Sequence, residues 1–290
     1  MKLSKIFQLA LAAAIVVAAA VKVFDGGVAG KEKTITILHT NDTHSQIFPI
    51  AADKGRWAGY GGYAKRAYLI DGIRAEGHGV LLFDSGDFSQ GTPYFNFFKG
   101  NIEVDAMGRM GYDAVTLGNH EFDNGVEELA RRVDRAEFPV LSANYDFSGS
   151  AMEGKTLPFK IFDVKGVKVG AFGLTIDTRG MVDAANARGA VYKDPVACAQ
   201  WAADTLRALG ADVVVALTHL GERSTPFYIG DDSLAAKTSG IDLILGGHSH
   251  TDGISTVHNK EGGEVTIVQQ ASQGRLLGRV DITVKKKKKE

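Results

Sequence analysis

From residue 34 onward, short apolar runs alternate with longer amphipathic stretches. Residues 34–39 alternate β-branched side chains and end at Thr40-Asn41-Asp42, a strand pattern running into a polar turn. Residues 62–76 bring Ala64, Ala67, Tyr68 and Ile70 to near-helical spacing, and residues 80–83 form a second strand-like run before Asp84-Ser85-Gly86-Asp87. Helices are predicted at 103–110 and 125–136, and strands at 114–117 and 139–143. Residues 159–163 and 167–174 flank Lys165-Gly166 and predict a hairpin. The longest predicted helix is 194–209. Residues 213–217 and 241–245 are strands of the buried type, each followed by a polar turn containing histidine. Residues 265–269 and 276–284 predict an antiparallel ending. Alternating units followed by hairpins predict a mixed-sheet α/β domain covered by helices. No repeat or linker interrupts residues 34–284, so they are expected to form one body.

The first 33 residues break this rhythm. Lys2 and Lys5 precede an apolar run over residues 6–21, interrupted only by Gln8, and Ala18-Ala19-Ala20 offers a cleavage site. Residues 1–20 therefore read as an export signal. The run has 16 residues, short of the ~20 of a spanning helix. Left uncleaved, it would be an inner-membrane anchor and the only membrane contact. The chain is expected in the periplasm or outside the cell, with residues 21–33 as a linker and 285–290 as a solvated lysine tail.

Composition narrows the function classes. Hydrophobic content of 44% and charge of 23% are ordinary for a globular protein. The formal net charge is −1, yet Lys2, Lys5 and Lys285 to Lys289 lie outside the predicted body and leave 26 basic against 34 acidic residues. A body this acidic lacks the clustered cations of a nucleic-acid surface. The single cysteine, Cys198, excludes an internal disulfide and a cysteine-rich zinc site. With no basic neighbour to lower its pKa, it reads as a small filler in a helix.

Five strand-like runs end in ligand-type residues: Asn41-Asp42-Thr43-His44, Asp84-Ser85-Gly86-Asp87, Gly118-Asn119-His120-Glu121, Thr218-His219 and Gly246-Gly247-His248-Ser249-His250. Ligands of open α/β sheets bind at the carboxyl ends of strands, so these turns are expected to converge. Six of the eight histidines lie on or beside them; only His78 and His258 fall elsewhere. Imidazole mixed with carboxylate suits Zn, Mn, Fe, Co or Ni better than Mg or Ca. Two such cations need a shared carboxylate, and together they activate water for attack on phosphorus. Singly, each residue has a plainer use: Asp42 could cap a turn and His44 could sit at the surface. Asp84 and Asp87 compete for one role, and His39 reads as structural.

These residues resemble the calcineurin-like metallophosphoesterases, and more narrowly the secreted 5′-nucleotidases. The likeness rests on residues 37–44, on Gly86-Asp87-Phe88-Ser89-Gln90-Gly91-Thr92 and on Gly118-Asn119-His120-Glu121-Phe122-Asp123. It covers roughly residues 34–284 and implies a four-layer α/β/β/α sandwich that hydrolyses phosphomonoesters, 5′-nucleotides above all. By the same resemblance, Asp42, His44 and His250 bind one metal, Asn119, His219 and His248 complete the second, and Asp87 bridges them. His250 departs from relatives that carry Gln or Asn there. His120 with Asp123 resembles the family's catalytic pair, which leaves Asp84 structural. Many members continue into a second domain that stacks the nucleobase. Here the chain ends after Val284 and a lysine tail, so a separate substrate-domain subunit is an expected partner. Phosphodiester, sugar-nucleotide and sulfur-ester hydrolysis are the alternatives on the same site. Tyr94, Phe95, Phe97 and Phe98 are expected to pack in the core or a lid rather than stack on a base.

Overall fold

The computed structural model describes residues 16–24 and 32–285. Its strands are β1 (Val16–Phe24), β2 (Glu32–Thr40), β3 (Gly79–Asp84), β4 (Ala114–Thr116), β5 (Val140–Leu141), β6 (Tyr145–Asp146) and β7 (Phe159–Val164). They continue with β8 (Val167–Thr175), β9 (Val191–Tyr192), β10 (Val213–His219), β11 (Leu243–Leu245), β12 (Asp252–His258), β13 (Glu264–Gln270) and β14 (Leu277–Lys285). One six-stranded sheet runs β1-β14-β2-β3-β4-β5 and another runs β12-β13-β11-β10-β8-β7, while β6 and β9 form a small ribbon.

Period-two alternation explains the layering, because successive side chains leave a strand on opposite faces. On β2, Ile35 and Ile37 enter the space between the sheets, where they join Val213, Val215 and Leu217 of β10. Leu38 turns the other way, toward Ile70 and Ile73 of the helix Tyr63–Arg74 and Val104 and Met107 of the helix Asn101–Met110. Val214 and Ala216 of β10 face Ala199, Ala202 and Leu206 of the helix Pro195–Ala208. Three apolar cores therefore separate four layers, helix, sheet, sheet and helix. Strands covered on both faces have no polar side, which is why residues 213–217 and 243–245 are unbroken apolar runs. The helix Pro195–Ala208 starts cleanly, with Pro195 in its first turn and the Asp194 side chain accepting the Ala197 N–H at 2.8 Å. Cys198 lies on it, partly buried against the outer core, and burial raises its thiol pKa.

Strand direction positions the site. β2, β3, β4 and β5 are mutually parallel, as are β8, β10, β11 and β13. In each sheet the polar turns thus emerge from the same edge. The Lys165-Gly166 hairpin joins β7 and β8, with φ of 54° and 78° at its two central residues, the mirror-image turn that matches strand twist.

The ending differs from expectation. β13 and β14 do not pair with each other: β13 runs parallel to β11 and antiparallel to β12, whereas β14 runs antiparallel to β2. Residues 271–276 cross from one sheet to the other, and a hydrophobic pattern does not record such a crossing. β12 had no sequence signal because it is an edge strand with mostly exposed side chains. At the start, β1 pairs parallel with β14 from Val16–Leu277 to Phe24–Lys285. It spans the expected boundary between export segment and linker; residues 1–15, 25–31 and the tail 286–290 lie outside the described residues. No helix among the described residues is long and apolar enough to cross a membrane. The aromatic run divides: Phe95 is buried in the short helix Pro93–Phe98, but Phe97 is 80% exposed.

Gly173 on β8 marks a close approach of the two sheets, since a Cβ there would lie 2.1 Å from the Leu141 carbonyl oxygen and 2.6 Å from Thr116 Oγ1. Gly173→Ala should cost about 1–3 kcal/mol through overpacking. Urea denaturation reads this as a lower midpoint at unchanged slope.

Candidate active site

Five of the seven residues expected to bind metal have left-handed backbones: Asp42 (φ 48°), His44 (47°), Asp87 (54°), His248 (78°) and His250 (56°). Such conformations cost non-glycine residues about 1–3 kcal/mol each and persist only where surroundings enforce them. Here the turns after β2 and β3 are laced together by backbone bonds from Asp42 N to Gly86 O (2.9 Å), His44 N to Asp87 O (3.0 Å) and Ser45 N to Phe88 O (3.0 Å). Asn41 ties the same turn to the other sheet, donating to Asp42 Oδ2 at 2.7 Å and to the Ala271 carbonyl at 2.9 Å while accepting the Gln270 N–H. Glycines make room. A Cβ on Gly118 would lie 2.1 Å from Asp87 Oδ1, and one on Gly247 would lie 2.8 Å from His219 Nδ1.

The side chains converge into two groups, each able to hold a metal ion: Asp42, His44 and His250, and Asp87, His219 and His248. In the first, His44 Nε2 and His250 Nε2 approach to 3.0 Å, and Asp42 Oδ1 lies 3.3 Å from His250 and 3.8 Å from His44. In the second, His219 Nε2 lies 3.1 Å from Asp87 Oδ2 and 3.9 Å from Asp42 Oδ1, so the groups adjoin. Asn119 enters through its Oδ1, 3.0 Å from His248 Nδ1.

The donor set fits cations. His219 is fully buried and gives Nδ1–H to the Ser85 carbonyl at 2.7 Å, which aims Nε2 into the site toward Asp87. Burial alone would lower its pKa, but Asp87 and Asp42 outweigh burial and raise it to about 10. Burial works the opposite way on Asp87, and His219 overcomes it to hold that carboxyl below the usual range. The field of this pocket therefore calls for positive charge. Burial and then the His219 charge lower His248 to about 4, keeping its lone pair free of a proton.

His120 and Asp123 stand beside these groups. His120 Nδ1 lies 2.8 Å from Asp123 Oδ2, and its ring meets His44 edge-on at 5.5 Å between centroids. Burial pulls the His120 pKa down, but the Asp123 hydrogen bond and the Asp87 charge prevail and raise it. Asp84 points away. It accepts Thr40 Oγ1 at 2.6 Å and the Gly86 N–H at 2.9 Å, shaping the turn, and burial lifts its pKa to about 7. His39 is buried against Gln270 and Gly278, where burial depresses its pKa to about 3.

Residues 35–252 match the calcineurin-like phosphoesterase family. The chain belongs to that family. It is 37% identical over 270 residues to the snake venom 5′-nucleotidase of Gloydius brevicauda, covering 86% of this chain and 45% of that protein. To the human 5′-nucleotidase it is 33% identical over 271 residues, covering 86% and 46%. The solved structure of a 5′-nucleotidase precursor from Thermus thermophilus superposes with a TM-score of 0.79 at 36% identity, over 86% of this chain and 51% of that one. The calcineurin-like phosphoesterase YfkN of Bacillus subtilis gives 0.72 at 28%, over 88% and 86%. This chain thus spans about half the length of the curated relatives it matches. The expected separate substrate subunit gains no support from these relatives.

Sequence reading of this phosphoesterase missed the residue that joins its turns. Glu121 accepts the backbone N–H groups of Asp87 (2.8 Å) and Gly118 (2.7 Å) on one oxygen, and the Ser89 N–H (3.2 Å) and hydroxyl (2.9 Å) on the other. Burial and the Asp87 charge push its pKa up, opposed by the buried Arg132, which bonds Ser89 Oγ and the Glu121 carbonyl. The Gly-Asn-His-Glu block contained this residue, but spacing cannot show a carboxylate that joins its own turn to the distant turn after β3. In Glu121→Gln one acceptor becomes an NH₂ facing N–H donors, so metal affinity should fall about 10–100-fold. Titration with Mn or Zn against a competing chelator measures this, and wild-type affinity in the variant would contradict the role.

Proposed function

We propose that this chain is the catalytic unit of a two-metal phosphomonoesterase that acts on 5′-nucleotides outside the cytoplasm. The observation carrying this reading is the pair of adjoining donor groups with the His120–Asp123 pair at their edge. Asp42, His44 and His250 would hold one divalent cation and Asn119, His219 and His248 the other, with Asp87 shared. Zn, Mn, Fe, Co or Ni suits this nitrogen-rich set. When bound, the ions supply Lewis acidity, which acidifies water and offsets phosphoryl charge.

The remaining work falls to the chain. Hydrolysis joins a water oxygen to phosphorus and releases an alkoxide that must gain a proton. His120, held by Asp123 with a raised pKa, supplies that proton at the leaving oxygen. Asp123 fixes the ring and offsets the charge of the imidazolium. The two curated relatives compared above are named 5′-nucleotidases, at 37% and 33% identity, which favours nucleotides over the diester and sulfur-ester alternatives. Export rests on the leader pattern of residues 1–20, and cell fractionation checks it.

Purified protein loaded with Mn or Zn should bind two ions per chain and release phosphate from 5′-AMP, and chelation should abolish turnover. His120→Asn should lower kcat by about 10²–10⁴-fold while the metal content holds. Equal turnover in the two proteins would refute the role of His120. Parallel rates on a cyclic nucleotide and a diphosphate sugar decide between the ester classes.

A further inference from the structure

Arg66, on the helix Tyr63–Arg74, is buried to 4% exposure alongside Tyr63, Ile70 and Ile73. An arginine cannot shed its charge, and a buried charge raises the energy of the fold unless an opposite charge lies beside it. None does among the described residues. Arg66 Nε and Nη2 have no hydrogen-bond partner, and Nη1 donates to Tyr112 Oη across a long 3.4 Å. The Tyr63 ring lies 4.8 Å from the guanidinium. Asp84 stands two hydroxyls away: Tyr112 Oη lies 2.8 Å from Thr40 Oγ1, which donates to Asp84 Oδ2 at 2.6 Å.

The guanidinium lines a cleft of about 10 Å³, which Lys65, Arg275 and the glycines 61, 62 and 274 also line. Three cations and no carboxylate form this lining. Arg56 adds to the field, because it and Arg275 both lie over the Trp57 ring, at 4.8 and 5.4 Å. Glycine is required here, since a Cβ on Gly274 would fall 2.0 Å from Arg66 Nη2. Roughly 10–15 Å³ holds one water-sized particle, so phosphate and carboxylates are too large. A water would occupy the space yet leave the charge unbalanced. We propose that this cleft binds one monatomic anion, chloride, as the counter-ion of Arg66. The site backs onto the metal turns, for Gln273 N, adjacent to Gly274, donates to the Asp42 carbonyl at 2.6 Å.

Exchanging methanesulfonate for chloride at constant ionic strength tests the site on the metal-loaded full chain. Methanesulfonate is too large for the cleft and does not chelate the metals. The wild-type Tm should rise saturably, by about 2–4 °C. Lys65→Met should need about tenfold more chloride for the same rise, and Arg66→Met should lose the chloride-specific rise altogether. If Arg66→Met does not fold, the Lys65→Met titration decides. In a crystal soaked in bromide, the anomalous signal should peak beside Arg66. A wild-type Tm indifferent to the exchange overturns the site and leaves a water in the cleft. A response unchanged by Lys65→Met, or bromide found only elsewhere, places the halide at the metals or the surface and overturns it equally.

Discussion

Two carboxylates, Asp42 and Asp87, sit in one pocket almost wholly withdrawn from water, with the imidazoles of His44, His219, His248 and His250 around them. Anions buried this close raise the energy of the folded chain unless positive charge lies between them. The high pKa of His219 and the low pKa of Asp87 express that demand in local terms. The left-handed backbones at five of the ligating positions are the second cost of the same arrangement, because they aim side chains inward from turns that would otherwise point them outward. Turn lacing, glycine clearance and the Glu121 hydrogen bonds all serve to hold this unfavourable assembly in place.

The sandwich makes such a centre possible. Asp42, Asp87 and Asn119 follow strands of one sheet, and His219, His248 and His250 follow strands of the other. Neither sheet alone brings together either of the two ligand groups. The junction is itself polar and specific: Ser85 accepts from His219 through its carbonyl and donates its hydroxyl to Leu245 O at 2.6 Å. Where the sheets meet at this edge, the apolar packing of the inner core gives way to side-chain and backbone hydrogen bonds. Sheet packing and ligand placement are thus a single constraint, and Gly173 and Gly247 mark where it tolerates no added atom.

The segment 176–192 runs beside that centre, from His219 to Asp123, and carries aromatic and carboxylate groups of its own.

Sequence alone determined the alternation of strands and helices, the polar turns at five strand ends and the residues that meet there. Those features are local: period-two apolar patterning, glycine beside aspartate or histidine, and a Lys-Gly turn each leave their mark within a few positions. Tertiary structure decided the rest. It divided β13 and β14 between two sheets, placed an exposed edge strand at residues 252–258 where no apolar pattern announced one, and turned Asp84 away from Asp87 toward Thr40. It also gave Glu121 four donors from residues 87, 89 and 118 and set Asn186 against Asp123. These are hydrogen bonds between residues far apart along the chain or on neighbouring turns. Their energies depend on distance and angle in three dimensions, for which residue type and spacing carry no record.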